Sequence, residues 1–157
     1  MSTLAVYDCM LFFSAASRPK RVSAVFELVK SQVVTLCLSP DVLSEIRDVL
    51  TRPKLVLKYP ALTPLAVDAF LADCLRRASW FHDVTEHFVL QRDPKDSKYL
   101  NLAITASAPY VVTRDRDLLD LMNEHNAEGR VFRARFPDIH IIDPAAFCSI
   151  IREHSGD

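Results

Sequence analysis

Apolar positions change their spacing segment by segment along the chain, and the spacing predicts strands alternating with helices. The run Leu4-Ala5-Val6-Tyr7 is continuous, ends at Asp8, and predicts a buried strand. In residues 19–30, Val22, Val25, Phe26 and Val29 fall on one face at helical spacing. Residues 33–38 are apolar and partly β-branched, which predicts a second buried strand. Ser39-Pro40 is a helix start, with a serine cap and proline in the first turn; the helix carries Val42, Leu43, Ile46, Val49 and Leu50. It should stop before Pro53, and Pro60 and Pro64 punctuate a loop. Residues 65–81 predict another helix, and residues 82–91 fit either a loop or, in part, a short strand. A polar turn at residues 93–96 opens a helix reaching Ala106. Residues 110–113 predict a strand, followed by an acidic turn (114–117) and a short helix. Residues 139–142 form the last strand, and Asp143-Pro144 caps a final helix over residues 145–152.

This alternation predicts a three-layer α/β/α fold around a central parallel sheet, because parallel strands need crossovers and the crossover helices cover both faces. At 157 residues the chain suits a single domain, taken as residues 1–157, with a substantial core. In sheets of this kind ligands bind beyond the carboxyl ends of the strands, so the residues that follow each strand are the ones to inspect.

Composition narrows the chemistry. Half the residues are apolar and a quarter are charged, as in soluble globular proteins. No apolar run is long enough for a membrane span, and the N-terminus has no basic region ahead of an apolar stretch, so the expected location is the cytoplasm. The net charge of −1 gives no overall basic field for nucleic acid, which still allows a few phosphates to be gripped locally. The four cysteines, Cys9, Cys37, Cys74 and Cys148, form no CxxC pair, and the five histidines lack zinc-ligand spacing. With only Gly129 and Gly156, the chain has no glycine-rich phosphate loop.

What does follow the strands is acidic. Asp8 ends the first strand, and Asp115 and Asp117 follow the strand at 110–113. Glu45 lies on the helix after the second strand, and Asp93 and Asp96 open the helix that leads into the 110–113 strand. Taken singly, Asp8, Asp96, Asp115 and Asp117 also suit helix caps or turns, and Glu45 suits a solvated helix face. Taken together, carboxylates that converge in a partly dry site repel one another and call for protons, cations or metal ions. Hard oxygen ligands without histidine or cysteine suit Mg²⁺ or Mn²⁺. A pair of such ions roughly 3.5–4 Å apart can activate water and stabilise both the attacking and the leaving oxygens in phosphodiester cleavage.

Four motifs in this order carry a resemblance to a known family. The first strand is followed by Asp8-Cys9-Met10; the second by Ser39-Pro40-Asp41-Val42-Leu43-Ser44-Glu45, with Arg52-Pro53-Lys54 beyond it. The third is Arg92-Asp93-Pro94-Lys95-Asp96-Ser97-Lys98-Tyr99-Leu100, and the fourth Val112-Thr113-Arg114-Asp115-Arg116-Asp117-Leu118-Leu119. The chain resembles the PIN-domain nucleases over nearly its whole length, in particular their bacterial branch of toxins from toxin–antitoxin pairs. The tail, Ile142-Asp143-Pro144-Ala145-Ala146-Phe147, resembles the family's ending as well. The first motif departs from the pattern, since family members carry Thr-Asn where this chain has Cys9-Met10.

The resemblance implies that Asp8, Glu45, Asp96 and Asp115 form the catalytic, metal-holding set, with Asp117 as a further ligand or a supporting group. Thr113 would orient a carboxylate or water, Cys9 and Met10 would line or adjoin the pocket, and Asp93 would shape the turn. It implies an endoribonuclease that cleaves single-stranded RNA to 5′-phosphate and 3′-hydroxyl ends, using Mg²⁺ or Mn²⁺, with a small antitoxin protein as partner and room for a homodimer. Lys98, Arg114, Arg116, Arg52 and Lys54 are the candidate RNA-steering cations. Two other readings compete. A PIN-like scaffold with weakened or lost activity is kept open by Cys9-Met10. A phospho-receiver module is opposed by the lack of an acidic pair after the first strand and of a lysine beside the last.

Overall fold

The computed structural model describes residues 2–155; residues 1, 156 and 157, the ends of the expected domain, lie outside the described residues. Five strands, β1 (Thr3–Tyr7), β2 (Val34–Leu38), β3 (Ser79–Trp80), β4 (Tyr110–Val112) and β5 (His140–Ile142), form one sheet in the order β3-β2-β1-β4-β5, with every pairing parallel. Helices α1 (Cys9–Ser17), α2 (Ala24–Lys30), α3 (Pro40–Leu50), α4 (Pro53–Lys58), α5 (Pro64–Arg77), α6 (Ser97–Ala106), α7 (Arg116–Leu119), α8 (Ala127–Arg135) and α9 (Pro144–Ser155) flank it. The expected parallel α/β architecture is therefore present.

The sheet is fully buried at its centre. Ala5, Val6, Leu36, Val111 and Val112 have essentially no exposure, which is why these strands read as continuous apolar runs rather than alternating ones. On one face, Tyr7, Phe12, Phe26, Phe70 and Phe147 form a chain of tilted and edge-to-face rings that joins the sheet to α1, α2, α5 and α9. Such pairs add about 0.5–1.5 kcal/mol each beyond simple burial. Helix α6 contacts β1, β2 and β4.

Several elements differ from the sequence expectation. Residues 9–17 form α1, ahead of the helical spacing at 19–30, and of the latter stretch only Ala24–Lys30 is helix. Helix α1 is apolar or small throughout and offers no polar face for a periodicity to show. Helix α3 ends at Leu50, before Pro53 as expected, but Pro53 then starts the unexpected α4, because proline at the first helical position gives up only an N–H that would be unpaired anyway. Helix α5 ends at Arg77, and residues 79–80, expected to be helical, pair with β2 as the edge strand. Helix α8 was not expected; it is capped by the Asn126 side chain, which accepts from the Gly129 N–H at 2.7 Å. Residues 82–91 contain no strand. Their backbone is held by side chains of α6: Asn101 accepts from the His87 and Phe88 N–H groups at 2.7 and 2.9 Å, and Ser97 accepts from the Leu90 N–H at 2.8 Å.

Strand register positions the site. Tyr7 lies beside Val112 and Val112 beside Ile142, so the residues one step further, Asp8 and Thr113, emerge side by side at the carboxyl edge. The Asp8 N–H donates to the Val112 carbonyl at 3.3 Å, and the Thr113 N–H to that of Ile142 at 3.0 Å. The chain moves from β1 outward through β2 to β3 and then crosses back to β4 on the other side of β1. The β1/β4 boundary is thus the point where the winding reverses and a crevice opens.

Candidate metal centre

Asp8 has two tasks at that crevice. One carboxylate oxygen caps α1, accepting from the Met10 and Leu11 N–H groups at 3.0 and 3.2 Å. The other accepts from the hydroxyl of Thr113, a fully buried residue. The Thr113 oxygen in turn accepts from the Asp115 N–H at 2.9 Å, so one hydroxyl couples the ends of β1 and β4. Burial holds the Asp8 carboxyl above its usual range in spite of these donors, and the charge of Asp115 adds to the effect.

Asp93, Asp96 and Asp115 form the densest acidic group. Each offers a carboxylate oxygen, and the three oxygens lie within 4.8 Å of one another. Asp93 and Asp96 bracket the 3₁₀ turn Pro94–Asp96 at the start of α6; Asp115 precedes α7 and accepts from the Asp117 N–H at 2.8 Å. Asp96 makes no side-chain cap to α6, so its carboxyl faces the other acids rather than its own helix. Its pKa is pushed up to about 8, first by burial, then by the hydrogen bond and charge of Asp115 and by the charges of Asp93 and Glu45. A carboxyl that holds its proton to neutral pH among other carboxylates marks a place where positive charge is missing. An all-oxygen, all-carboxylate donor set of this size fits a hard divalent cation such as Mg²⁺ or Mn²⁺.

Glu45, on the second turn of α3, faces α6. Lys98 donates to it at 2.6 Å, and the Tyr99 hydroxyl donates to its other oxygen. Burial raises its carboxyl, but the Lys98 and Tyr99 bonds and the Lys98 charge outweigh that and hold it below the ordinary range. Tyr99, itself buried, also accepts from the Cys9 N–H at 3.1 Å. The Cys9 thiol reaches Glu45 and Tyr99; burial, followed by the nearby negative charges, pushes it up to about 12, so it stays a neutral, weak donor. Met10 is 51% exposed.

Glu45 and Asp115 act on Asp96, and Asp115 acts on Asp8, so the four acids share one electrostatic neighbourhood. Asp93 belongs to the same group, beyond the turn-shaping role expected of it. Asp117 points elsewhere, accepting from Arg92 at 2.9 Å while Arg92 also pairs with Asp120 at 2.8 Å. Of the candidate cations, Lys98 is committed to Glu45, and Arg52 pairs with Asp48 at 3.0 Å beyond the end of α3. Lys54 is exposed on α4, and Arg114 and Arg116 are exposed beside Asp115 without a carboxylate partner among the described residues. The sequence reading missed Tyr99 and Arg92. Tyr99 left a signal, since a phenol in an otherwise apolar helix face needs a partner when buried; Arg92 left none.

The family model described as PIN domain matches residues 3–117, from β1 into α7, covering the first three motifs and the fourth as far as Asp117. No curated protein and no solved structure matches the chain.

Proposed function

Because this chain belongs to the PIN-domain family, whose members are generally nucleases that use divalent metals, we propose that it is a metal-dependent endoribonuclease cleaving single-stranded RNA, and the toxin half of a toxin–antitoxin pair. The observation that carries this reading is the Asp93, Asp96 and Asp115 group, three carboxylates within 4.8 Å with Asp96 kept protonated first by burial and then by its acidic neighbours. Asp8 and Glu45 complete the donor set from β1 and α3. Bound Mg²⁺ or Mn²⁺ would supply a Lewis acid at the phosphodiester and lower the pKa of water.

The chain's own residues do the rest. Thr113 fixes the orientation of Asp8 and, through the Asp115 N–H, the turn that carries Asp115. Lys98 and Tyr99 hold Glu45 ionised and in place. Asp96 releases its proton when positive charge enters the site. Arg114 and Arg116 sit next to the acids to meet the phosphates, and Asp117 supports the turn through Arg92 rather than from inside the acid group. The toxin reading brings a small antitoxin protein as partner and is compatible with a homodimer; among the described residues no helix is long and apolar enough to cross a membrane.

The test is cleavage of a mixed RNA pool with Mn²⁺ or with EDTA, followed by sequencing of the ends. The expected result is Mn²⁺-dependent cleavage leaving 5′-phosphate and 3′-hydroxyl ends. Cleavage that survives EDTA would overturn it. A second reading, a PIN fold kept as a binding scaffold, draws on Cys9 as a thiol beside Glu45 where the family carries a hydroxyl; wild-type protein that neither binds Mn²⁺ nor cuts RNA would favour it.

A further inference from the structure

A cleft of about 440 Å³ opens between the start of α2 and the first turns of α9, and Arg21, Arg114 and Arg152 line it. They come from three separate segments: the 18–23 connection, the turn after β4, and the third turn of α9. Among the described residues, no carboxylate lines the cleft. This arrangement is unusual for the molecule. Arg47, Arg52, Arg76, Arg77 and Arg92 each pair with an aspartate, Arg130, Arg133 and Arg135 donate to backbone carbonyls, and Arg18 lies over the Tyr59 ring. Arg21, Arg114 and Arg152 have no ion pair among the described residues, and neither does Arg116, which lies outside the cleft lining. Three like charges held in one concavity gain nothing for folding, and they stand out in a chain whose net charge is −1.

The cleft's chemistry suits phosphate. Guanidinium forks match phosphate oxygens in pairs. Ser23, also in the lining, sits at the α2 cap position but makes no side-chain cap bond, which leaves its hydroxyl free to donate. Position supplies the rest: Arg114 stands between Thr113 and Asp115, so the cleft begins one residue from the acids, at the same carboxyl edge of the sheet. We propose that the Arg21, Arg114 and Arg152 cleft binds the sugar–phosphate backbone of the RNA strand as it runs away from the cleavage site. This inference rests on the ribonuclease reading for its choice of ligand. Continuity with the acids favours an RNA strand, whose scissile phosphate the site would take, over an acidic protein segment, whose carboxylates the Asp93, Asp96 and Asp115 group would repel.

The experiment is fluorescence anisotropy of a short fluorescein-labelled single-stranded RNA in EDTA, across a series of salt concentrations. The proteins are wild type, Arg21→Glu with Arg152→Glu, and Arg21→Gln with Arg152→Gln, each melted to confirm folding; should the Glu pair melt early, the Gln pair carries the test. The Glu pair is expected to lose about tenfold or more in affinity, and the slope of log K against log salt to become shallower by about 1.4, two phosphate contacts at ~0.7 each. The Gln pair should fall between it and wild type. Unchanged affinity and slope in the folded variants would overturn the proposal, as would variants that lose binding to an acidic peptide while keeping it for RNA. Failure of the ribonuclease reading would look different: arginine-dependent RNA binding with no Mn²⁺-dependent cleavage by wild type leaves the cleft standing and removes the nuclease. Cleavage by wild type, with RNA binding unaffected in both variants, does the reverse.

Discussion

The two sides of the acidic pocket solve the same electrostatic problem in opposite ways. On the α3 side, Glu45 is neutralised from within: Lys98 donates to one oxygen and Tyr99 to the other, and the carboxyl is held below its ordinary range. On the β4 and α6 side, Asp93, Asp96 and Asp115 face one another with no lysine or arginine pairing any of them among the described residues, and Asp96 keeps its proton up to a pKa of about 8. The difference teaches where a cation is still owed. A side chain fills the need at Glu45, and only a proton fills it at Asp96.

The change with the largest expected effect attacks the unneutralised side. Asp96→Asn keeps the shape and removes the charge, and Mn²⁺-dependent RNA cleavage should fall by at least about 100-fold, the upper end of losses seen even for indirect partners of metal sites. Full activity in that variant would mean that the two sides do not differ in function.

Melting measurements sharpen the contrast without a substitution. Mn²⁺ at about 100 times its dissociation constant should stabilise the native state by about 2.7 kcal/mol, and at about 2–4 °C per kcal/mol for a chain of this size the Tm should rise by about 5–11 °C. The pH dependence should have opposite signs on the two sides. Asp96 has a folded pKa above its ordinary 3.8, so the stability it contributes is complete below that value and is lost as pH rises through about 8. Glu45 has a folded pKa below its ordinary 4.5, so its contribution is present above that value and is lost as pH falls below it. Metal-free protein should therefore melt progressively lower between pH 5 and pH 8, and Asp96→Asn should flatten that slope. A slope of equal size in the variant would remove Asp96 as its source.

Lys98→Met makes the two sides alike by freeing Glu45. Mn²⁺ affinity should rise several-fold, and metal-free stability should fall by about 0.5–1 kcal/mol, as for a partly exposed pair. Titration of Mn²⁺ followed by calorimetry reads both. An unchanged affinity would show that Glu45 lies outside the reach of the ions.

The smallest effect is expected at the departure from the family pattern. Cys9→Thr replaces a weak donor beside Glu45 with a stronger one and should tighten Mn²⁺ binding by less than about tenfold. Met10→Asn, at a position 51% exposed, should shift stability by no more than about 0.5 kcal/mol. Comparing each single variant with the pair separates the two positions; an affinity gain that follows Met10 would contradict the placement of Cys9 against Glu45.

How much of this was legible follows from the range over which each signal acts. The apolar runs at Leu4-Ala5-Val6-Tyr7 and at residues 110–112, and the serine and proline that open α3, are local signals, and the structure uses them as read. Helix α1 hid in a stretch with no polar face. Strand β3 is two residues long and exists only because Leu38 of β2 lies beside Trp80. Asp8 illustrates why single residues resist assignment: it caps α1 and also meets Thr113 across the sheet, so the bland and the functional readings are both true of it.

By itself, the sequence determined that strands alternate with helices, that the central strands are buried on both faces, and that acids follow β1 and β4. These are properties of neighbours along the chain, where hydrophobic period and capping chemistry act directly. The tertiary structure decided which charges meet. Asp93 joins Asp96 and Asp115, Lys98 turns to Glu45 rather than outward, Asp117 goes to Arg92, and Arg21, Arg114 and Arg152 gather without an ion-pair partner among the described residues. Those choices depend on the parallel register of β1 with β4 and on the crossover that carries α6 back across the sheet. Coulomb energies fall off with distance in space, not along the chain, so the pairing of charges is fixed only once the backbone has brought distant segments together.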